Sequence, residues 1–305
     1  MLGYIVPFLQ KMHTRQVTLL HVHDPEPDPH IASVITHFDS MVLVPVTPTA
    51  DFTEHTRDAM RMLAQAYLST LTDVKWEVVL SDKPEVPEIL QQAAMRDADL
   101  VVIGRHYGDA QFKTSQAVTA RRITEKITCS VLVLPEIKAS PITRIIAPVR
   151  NSQCSATALQ AAHRIATAFN AQLTALNVYR TPHIAHLQQQ EGTPHDSLPH
   201  SHETAAQTEN EALLKRLQLT PDDVSSKCAP CPANDPVGAI LSEVQNQNID
   251  LIVIGARGRT GAAGILLGAV TEELIQRSPI PVLAVKTKGE CIDLLHAVLS
   301  LVRKR

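Results

Sequence analysis

The sequence predicts an α/β fold made of two tandem, doubly wound parallel-sheet domains. One observation is an internal repeat, in which 99–104 (Asp-Leu-Val-Val-Ile-Gly) matches 250–255 (Asp-Leu-Ile-Val-Ile-Gly), and 131–134 then aligns with 282–285 without a gap. Apolar strand-like runs also alternate with segments of helical spacing, which favours a parallel sheet with helices on both faces. Finally, 305 residues with 44% hydrophobic content suffice for two packed domains.

The second copy contains a complete set of elements. In chain order we expect a strand at 144–149, a helix at 155–170 and a strand at 172–179, then a long polar connector to about His202. A helix through Leu217, a strand at 224–228 and a helix at 237–247 follow. The unit ends with a strand at 250–254, a helix that opens at Gly268 and a strand at 281–285.

The first copy begins one strand late. Its first clear strand, 17–22, matches the second strand of the later copy, 173–178, and 2–13 before it is typical of the end of a helix. We therefore expect this half to lack its N-terminal strand, either because translation starts upstream or because the sheet is defective. We place the domains at 1–138 and 139–288, followed by an amphipathic helix at 289–305 with an apolar stripe of Ile292, Leu295, Leu299 and Val302.

Composition excludes several classes of function. The net charge of -3 gives no general attraction to nucleic acid or anionic membranes, and the few aromatic residues offer few stacking surfaces for single strands. No apolar run approaches the roughly 18 to 20 residues that span a bilayer. The chain has no charged start before an apolar core, and its five cysteines are scattered. These features predict a cytoplasmic protein without a signal peptide.

A glycine-rich loop follows the strand at 250–254. Gly255 and Gly258 are followed after nine residues by Gly268, where a helix is expected to open. Glycines let the backbone approach a ligand closely, and a helix N-terminus presents free N–H groups and a partial positive charge. This order of strand, loop and helix predicts a phosphate-binding cradle.

At these residues the chain resembles the universal stress protein family, whose nucleotide-binding loop has the same glycine spacing. The resemblance implies an adenine nucleotide alpha hydrolase-like fold, with ATP or a related adenine nucleotide, with or without Mg²⁺, bound in the second domain. It implies a site made of Pro148, Val149, Arg150, Val178, Gly255, Arg257, Gly258, Gly268, Ala269, Val270 and Thr271.

Two of these positions depart from the family pattern. Ala269 stands where the family usually has a hydroxyl, although its backbone N–H remains, and Thr271 is a candidate substitute. Arg150 stands where the family often has Asp near the ribose and base, so an acceptor is replaced by a positive charge. Val178 matches the adenine-contact position of the family.

The corresponding loop of the first copy is altered. Tyr107 replaces the second glycine and Ala117 the third, after Gly104. Because a tyrosine side chain obstructs close phosphate approach, we expect this half not to bind nucleotide in the family manner.

Binding is expected rather than catalysis. The sequence contains neither a Gly-x4-Gly-Lys-Ser/Thr phosphate loop nor a Gly-x-Ser-x-Gly nucleophile elbow, so at most slow ATP hydrolysis is expected. We expect a stress-response regulator with an unknown protein partner and no nucleic-acid or membrane partner. The two halves would pair through 131–134 and 282–285, as family dimers do. The sequence does not decide whether two chains also associate as a homodimer. A regulatory scaffold without nucleotide is the alternative.

A Cys-x2-Cys pair supports a further alternative, a zinc or redox sensor. Cys228 and Cys231 follow an expected strand and precede an expected helix, where a redox pair would lie. Two thiols are half of a tetrahedral zinc site, and a connector rich in histidine could supply the rest: His183, His186, His195, His200 and His202. A solvated loop with two ordinary cysteines is the competing interpretation, and we assign no metal. Cys129, Cys154 and Cys291 are interpreted as small apolar fillers.

Overall fold

The computed structural model describes residues 2–22, 50–71, 74–105, 115–136, 140–180, 197–231, 234–256 and 267–286. Within them, helices and strands alternate in each half of the chain. The first half contains α1 (Leu2–Lys11), β1 (Gln16–Val22), α2 (Ala50–Leu68), β2 (Lys75–Ser81), α3 (Glu85–Met95), β3 (Leu100–Arg105), α4 (Ser115–Lys126) and β4 (Ser130–Pro135).

The second half follows the predicted order of elements. It contains β5 (Arg144–Pro148), α5 (Gln153–Phe169), β6 (Gln172–Arg180), α6 (Ser197–Leu217), β7 (Ser225–Cys231), α7 (Pro236–Asn246), β8 (Leu251–Gly255), α8 (Ala269–Arg277) and β9 (Val282–Val285). Helix α6 begins before His202, so the polar connector is shorter than expected, and β7 extends past the predicted end at 228. The expected helix at 289–305 lies outside the described residues.

The strands form a two-stranded sheet, β1-β2, and a seven-stranded sheet in the order β3-β4-β9-β8-β5-β6-β7. Pairing within the second half is parallel, and β4 pairs with β9 antiparallel, with Leu132 opposite Leu283. The fold is therefore α/β with parallel sheets, and the predicted pairing of the last strands of the two halves is confirmed.

Two compact units divide the chain. One contains residues 1–98, 104–127 and 136–140, and the other contains 99–103, 128–135 and 141–305, so most of β3 and β4 belongs with the C-terminal half. The division at 138 remains a prediction. In the second half β5 joins β6 to β8, whereas no described strand joins β1 to β3. The absence of a leading strand in the first copy remains a prediction.

The central strands of the larger unit carry its core. Ile145 and Ile146 of β5 and Leu251 and Ile252 of β8 are fully buried, as is Leu159 of α5. From β5 the chain moves through β6 to β7 in one direction across the sheet, and it then crosses back to β8 and β9 on the other side of β5. Because crossovers between parallel strands are right-handed, α5 and α6 lie on one face of the sheet and α7 and α8 on the other. Helix pairs on both faces make this sheet doubly wound.

Asp250 fixes the start of β5 against β8. Its Oδ2 accepts hydrogen bonds from the Thr143 amide (2.8 Å), the Thr143 hydroxyl (2.7 Å) and the Arg144 amide (2.9 Å). We expect Asp250→Ala to lower the free energy of unfolding by about 1–3 kcal/mol, because the backbone donors of β5 lose a charged acceptor. Urea unfolding followed by circular dichroism measures this. Asp222→Ala, in an exposed turn, is the control, and equal midpoints for both variants would contradict the role of Asp250.

Candidate nucleotide-binding site

The order of the sheet reverses at β5. From this strand the chain passes to β6 and β7 on one side, and β8 and β9 occupy the other. The carboxyl ends of β5 and β8, at Pro148 and Gly255, therefore lie side by side at the same edge. In open α/β sheets ligands bind at such an edge, where the strand order reverses.

Gly255, at the end of β8, packs against the start of α5. A Cβ at this position would lie 2.8 Å from the carbonyl oxygen of Cys154 and 3.0 Å from its carbonyl carbon. Real Cβ atoms almost never approach a backbone atom so closely, so no side chain fits here without moving α5. The first glycine of the motif thus has a packing role at the strand–helix contact.

Gly268 is the residue at which α8 begins. Its backbone, at φ −67° and ψ 137°, is a conformation that any residue adopts, and it provides no side-chain cap. Its amide donates to the Ala256 carbonyl (2.9 Å), and its carbonyl accepts from the Glu272 amide (2.9 Å). The amides of Ala269 and Val270 are in the first turn, where a helix offers no acceptor. Among the described residues no carbonyl outside the helix accepts from these two amides, so the helix start offers them to an anion.

Thr271 does not provide the hydroxyl that Ala269 lacks. Its Oγ1 donates to the Gly255 carbonyl oxygen at 2.9 Å, and the residue is 2% exposed. The expectation that it substitutes for the family hydroxyl is wrong, because this group is buried between α8 and β8. It ties the helix to the end of the strand instead.

Arg150 lies across the ends of β5 and β6. Its amide donates to Ser155 Oγ (3.0 Å), and its Nη2 donates to the Val178 carbonyl (3.4 Å). Beside it the Val149 amide donates to the Leu176 carbonyl at 2.8 Å. The structure thus brings together Pro148, Val149, Arg150 and Val178, which the sequence places at the same edge. Arg257 and Gly258 lie outside the described residues.

Sequence reasoning missed polar groups around the start of α5. Ser152 caps this helix by accepting from the Ser155 amide (3.1 Å), and Arg216 of α6 donates to the Ser152 carbonyl (3.3 Å). A serine just before an apolar-periodic segment was an available signal for the cap. Arg180, at the end of β6, was also missed, and it is exposed at the same edge.

The two cysteines of the Cys-x2-Cys pair lie within β7 rather than after it. Residues three apart on a strand face opposite sides of the sheet, so the two thiols do not form a chelating or disulfide pair. Both are free. Burial is the main cause that raises the pKa of the Cys228 thiol, and the charges of Glu203 and Glu211 raise it further. Burial also raises the pKa of the Cys231 thiol, and the charge of Asp235 adds to this effect. The predicted position of this pair is wrong, because the strand continues to Cys231.

Raised thiol pKa values predict slow alkylation. We expect Cys228 and Cys231 to react with iodoacetamide more slowly than free glutathione at pH 7, because a smaller fraction of each thiol is ionised. Mass spectrometry of tryptic peptides over a pH series measures the rate at each site. Reaction of either thiol faster than glutathione at neutral pH would restore the redox hypothesis.

The described residues bring no other candidate metal ligands together. Among the described residues no group of three or more His, Cys, Asp or Glu side chains could hold a metal ion. His183, His186 and His195 lie outside those residues, the side chain of His200 is not described, and His202 is exposed on α6. In the same part of the chain no helix has the length and apolar character needed to cross a membrane.

The model of a known family matches this chain over most of its length. The model of the universal stress protein family matches residues 2–135 and 141–286. Universal stress protein MJ0531 of Methanocaldococcus jannaschii is 28% identical over 144 residues, 47% of this chain and 81% of that protein. Universal stress protein MJ0577 of the same organism is 42% identical over 54 residues, 18% of this chain and 33% of that protein.

A solved structure has a fold similar to that of this chain. A universal stress protein from Archaeoglobus fulgidus superposes with a TM-score of 0.61 at 17% identity, covering 95% of this chain and 92% of that one. Together with the two family matches, this places two copies of one domain in tandem. The chain belongs to the universal stress protein family.

Proposed function

We propose that the C-terminal half binds ATP or a related adenine nucleotide and acts as a stress-response regulator. The observation that carries this proposal is the start of α8. It opens without a side-chain cap at the last glycine of the motif, at the edge where the order of the sheet reverses. A helix start in this position is suited to hold a phosphate.

The phosphate groups would lie against the amides of Ala269 and Val270. The Gly268 amide is already bound by the Ala256 carbonyl, so the contribution of Gly268 is its lack of a side chain. Its backbone conformation does not require glycine. Close approach of a ligand therefore gives the best reason for a glycine at this position. Arg257 and Gly258 are proposed to complete the cradle.

The ribose and base would lie over the ends of β5 and β6. Val178 is 7% exposed and offers a carbonyl, and Pro148 and Val149 line the neighbouring strand end. The Arg150 guanidinium covers this carbonyl through one long hydrogen bond of 3.4 Å. Such a contact is weak, so the side chain can turn toward a bound anion.

The chemistry of this edge favours binding over turnover. Amides and a guanidinium stabilise anions but do not remove a proton from water, which is what hydrolysis requires. We therefore propose that nucleotide occupancy changes the surface that a protein partner contacts, in the cytoplasm, with hydrolysis at most slow. Mg²⁺ would accompany the phosphates rather than occupy a site of its own.

Calorimetric titration of the full chain tests the proposal. We expect saturable binding of ATP, weaker binding of inorganic triphosphate because it lacks the base, and weaker binding of GTP, with each titration run with and without Mg²⁺. Turnover is followed in parallel by phosphate release. Failure of every adenine nucleotide to bind at millimolar concentration would contradict the proposal and leave the scaffold without nucleotide.

A further inference from the structure

Two arginines lie at the ends of neighbouring strands of the larger sheet. Arg150 follows β5 and Arg180 ends β6, and these strands are hydrogen-bonded neighbours. In the part of the chain that the structure describes, neither side chain forms an ion pair. Both residues are exposed. Two positive charges are thus available at the edge that the proposed nucleotide occupies.

The charges converge on one point of this edge. Arg180 is the register partner of Cys231 on β7. Although burial and Asp235 raise the pKa of the Cys231 thiol, Arg180 and Arg150 both act to lower it, as positive charges near a thiol do. Arg150 Nη2 lies 3.4 Å from the carbonyl oxygen of Val178, two residues before Arg180 on β6, so both arginines lie at the same end of this strand.

The nearby carboxylate of Asp235 has other partners. Its Oδ1 accepts from the Gly238 amide (2.8 Å), where it caps α7, and lies 3.6 Å from Arg277 Nη1. This carboxylate is thus engaged at the start of α7. Among the described residues no carboxylate is paired with Arg150 or Arg180, and their charges suit an anion from outside the chain.

A second source of positive potential lies elsewhere along the same edge. The first turn of α8 follows β8, and β5 separates β8 from β6. Two strand spacings amount to about 10 Å. A single phosphate group cannot contact both the α8 amides and the end of β6, whereas one ligand with an anion at each end can.

We infer that the ligand is an adenosine nucleotide with a second phosphate on its ribose, at the 2′ or 3′ oxygen. This inference rests on the proposed function. The α8 amides hold the 5′-phosphate, and Arg150 and Arg180 hold the ribose phosphate. Dinucleotide-binding sites show the same distinction. A carboxylate accepts from the ribose hydroxyls where the ribose carries no phosphate, and an arginine accommodates the phosphate where it does.

Calorimetry with a panel of small nucleotides tests this assignment. The probes are AMP, adenosine 3′,5′-bisphosphate, adenosine 2′,5′-bisphosphate, and AMP together with inorganic phosphate. We expect one bisphosphate to bind about tenfold more tightly than AMP, since it gains charge-assisted hydrogen bonds. Added inorganic phosphate should not reproduce the gain, because the second anion must be tethered to the ribose.

Variants then identify the groups that recognise the second phosphate. Arg150→Gln and Arg180→Gln should each reduce the ratio of bisphosphate to AMP affinity toward one. Arg164→Gln removes an equal charge from an exposed position on α5 and should leave that ratio unchanged. Circular dichroism confirms that each variant is folded.

Each outcome supports or overturns the assignment of the second phosphate. If AMP binds and neither bisphosphate binds more tightly, this inference is overturned and the proposed function stands. The inference is also overturned if Arg164→Gln lowers the ratio as much as the other variants, since the effect is then one of general charge. If no adenine nucleotide binds, the proposed function fails and this inference fails with it.

Discussion

Gly268→Asp is expected to abolish ATP binding while leaving the fold intact or slightly more stable. Aspartate is a favoured residue at a helix N-cap, and the backbone at this position, φ −67° and ψ 137°, suits it. Its carboxylate would accept from the free amides of the first turn of α8 and repel a phosphate. We expect affinity for ATP to fall by about 100-fold or more, measured by calorimetry. The unfolding midpoint should stay or rise.

Ala117→Asp is the matched control for this variant. Ala117 occupies the corresponding position in the first repeat and lies in the first turn of α4, where an acidic residue is also tolerated. We expect ATP binding to persist in this variant, because the first repeat is predicted not to bind nucleotide. Equal ATP affinity of Gly268→Asp and wild type would show that the phosphates do not lie at α8.

Gly255→Ala should destabilise the C-terminal half. The new methyl group would lie 2.8 Å from the Cys154 carbonyl oxygen, a backbone atom in the first turn of α5. Since this helix covers the central strands, its displacement opens the core. We expect a loss of about 1–3 kcal/mol in the free energy of unfolding, typical of overpacking a well-filled core. Urea titration followed by circular dichroism measures it.

A second glycine provides the comparison for this prediction. A Cβ at Gly238 would lie 2.3 Å from Asp235 Oδ2, an even shorter distance, but that atom ends a side chain that can rotate. Gly238→Ala would disrupt the Asp235 cap of α7, which costs about 1 kcal/mol of stability. The higher helix propensity of alanine would stabilise the helix by about 1 kcal/mol. We expect little net change. If both variants unfold at the wild-type midpoint, α5 adjusts freely and the packing role of Gly255 is wrong.

Much of the fold could be predicted because the repeat and the apolar strands are local signals. The start of α6 at Ser197 could not be predicted, because the first turns of this helix contain polar residues and lack an apolar stripe. The end of β7 also differs from the predicted end at 228, for a related reason. Pro230 interrupts its pattern, and proline is tolerated in this strand because β7 lies at the edge of the sheet.

The candidate site was predictable in position but not in the role of each residue. Spacing along the chain placed Arg150, Val178 and Gly268 at one edge of the sheet. It could not show that the Thr271 hydroxyl turns inward to the Gly255 carbonyl, because that depends on how α8 is rotated against β8. Nor could it show that Gly255 is needed by α5, a contact made by residues about a hundred positions apart in sequence.

The pairing of β4 with β9 has a consequence during synthesis. At one end of this contact the Lys286 amide donates a hydrogen bond to Ser130 Oγ, although the two residues are 156 positions apart in sequence. At about 5–20 residues per second on the ribosome, β9 is synthesised roughly 8 to 30 seconds after β4. During that interval the nascent chain exposes an apolar strand edge, so premature termination would leave a fragment prone to self-association.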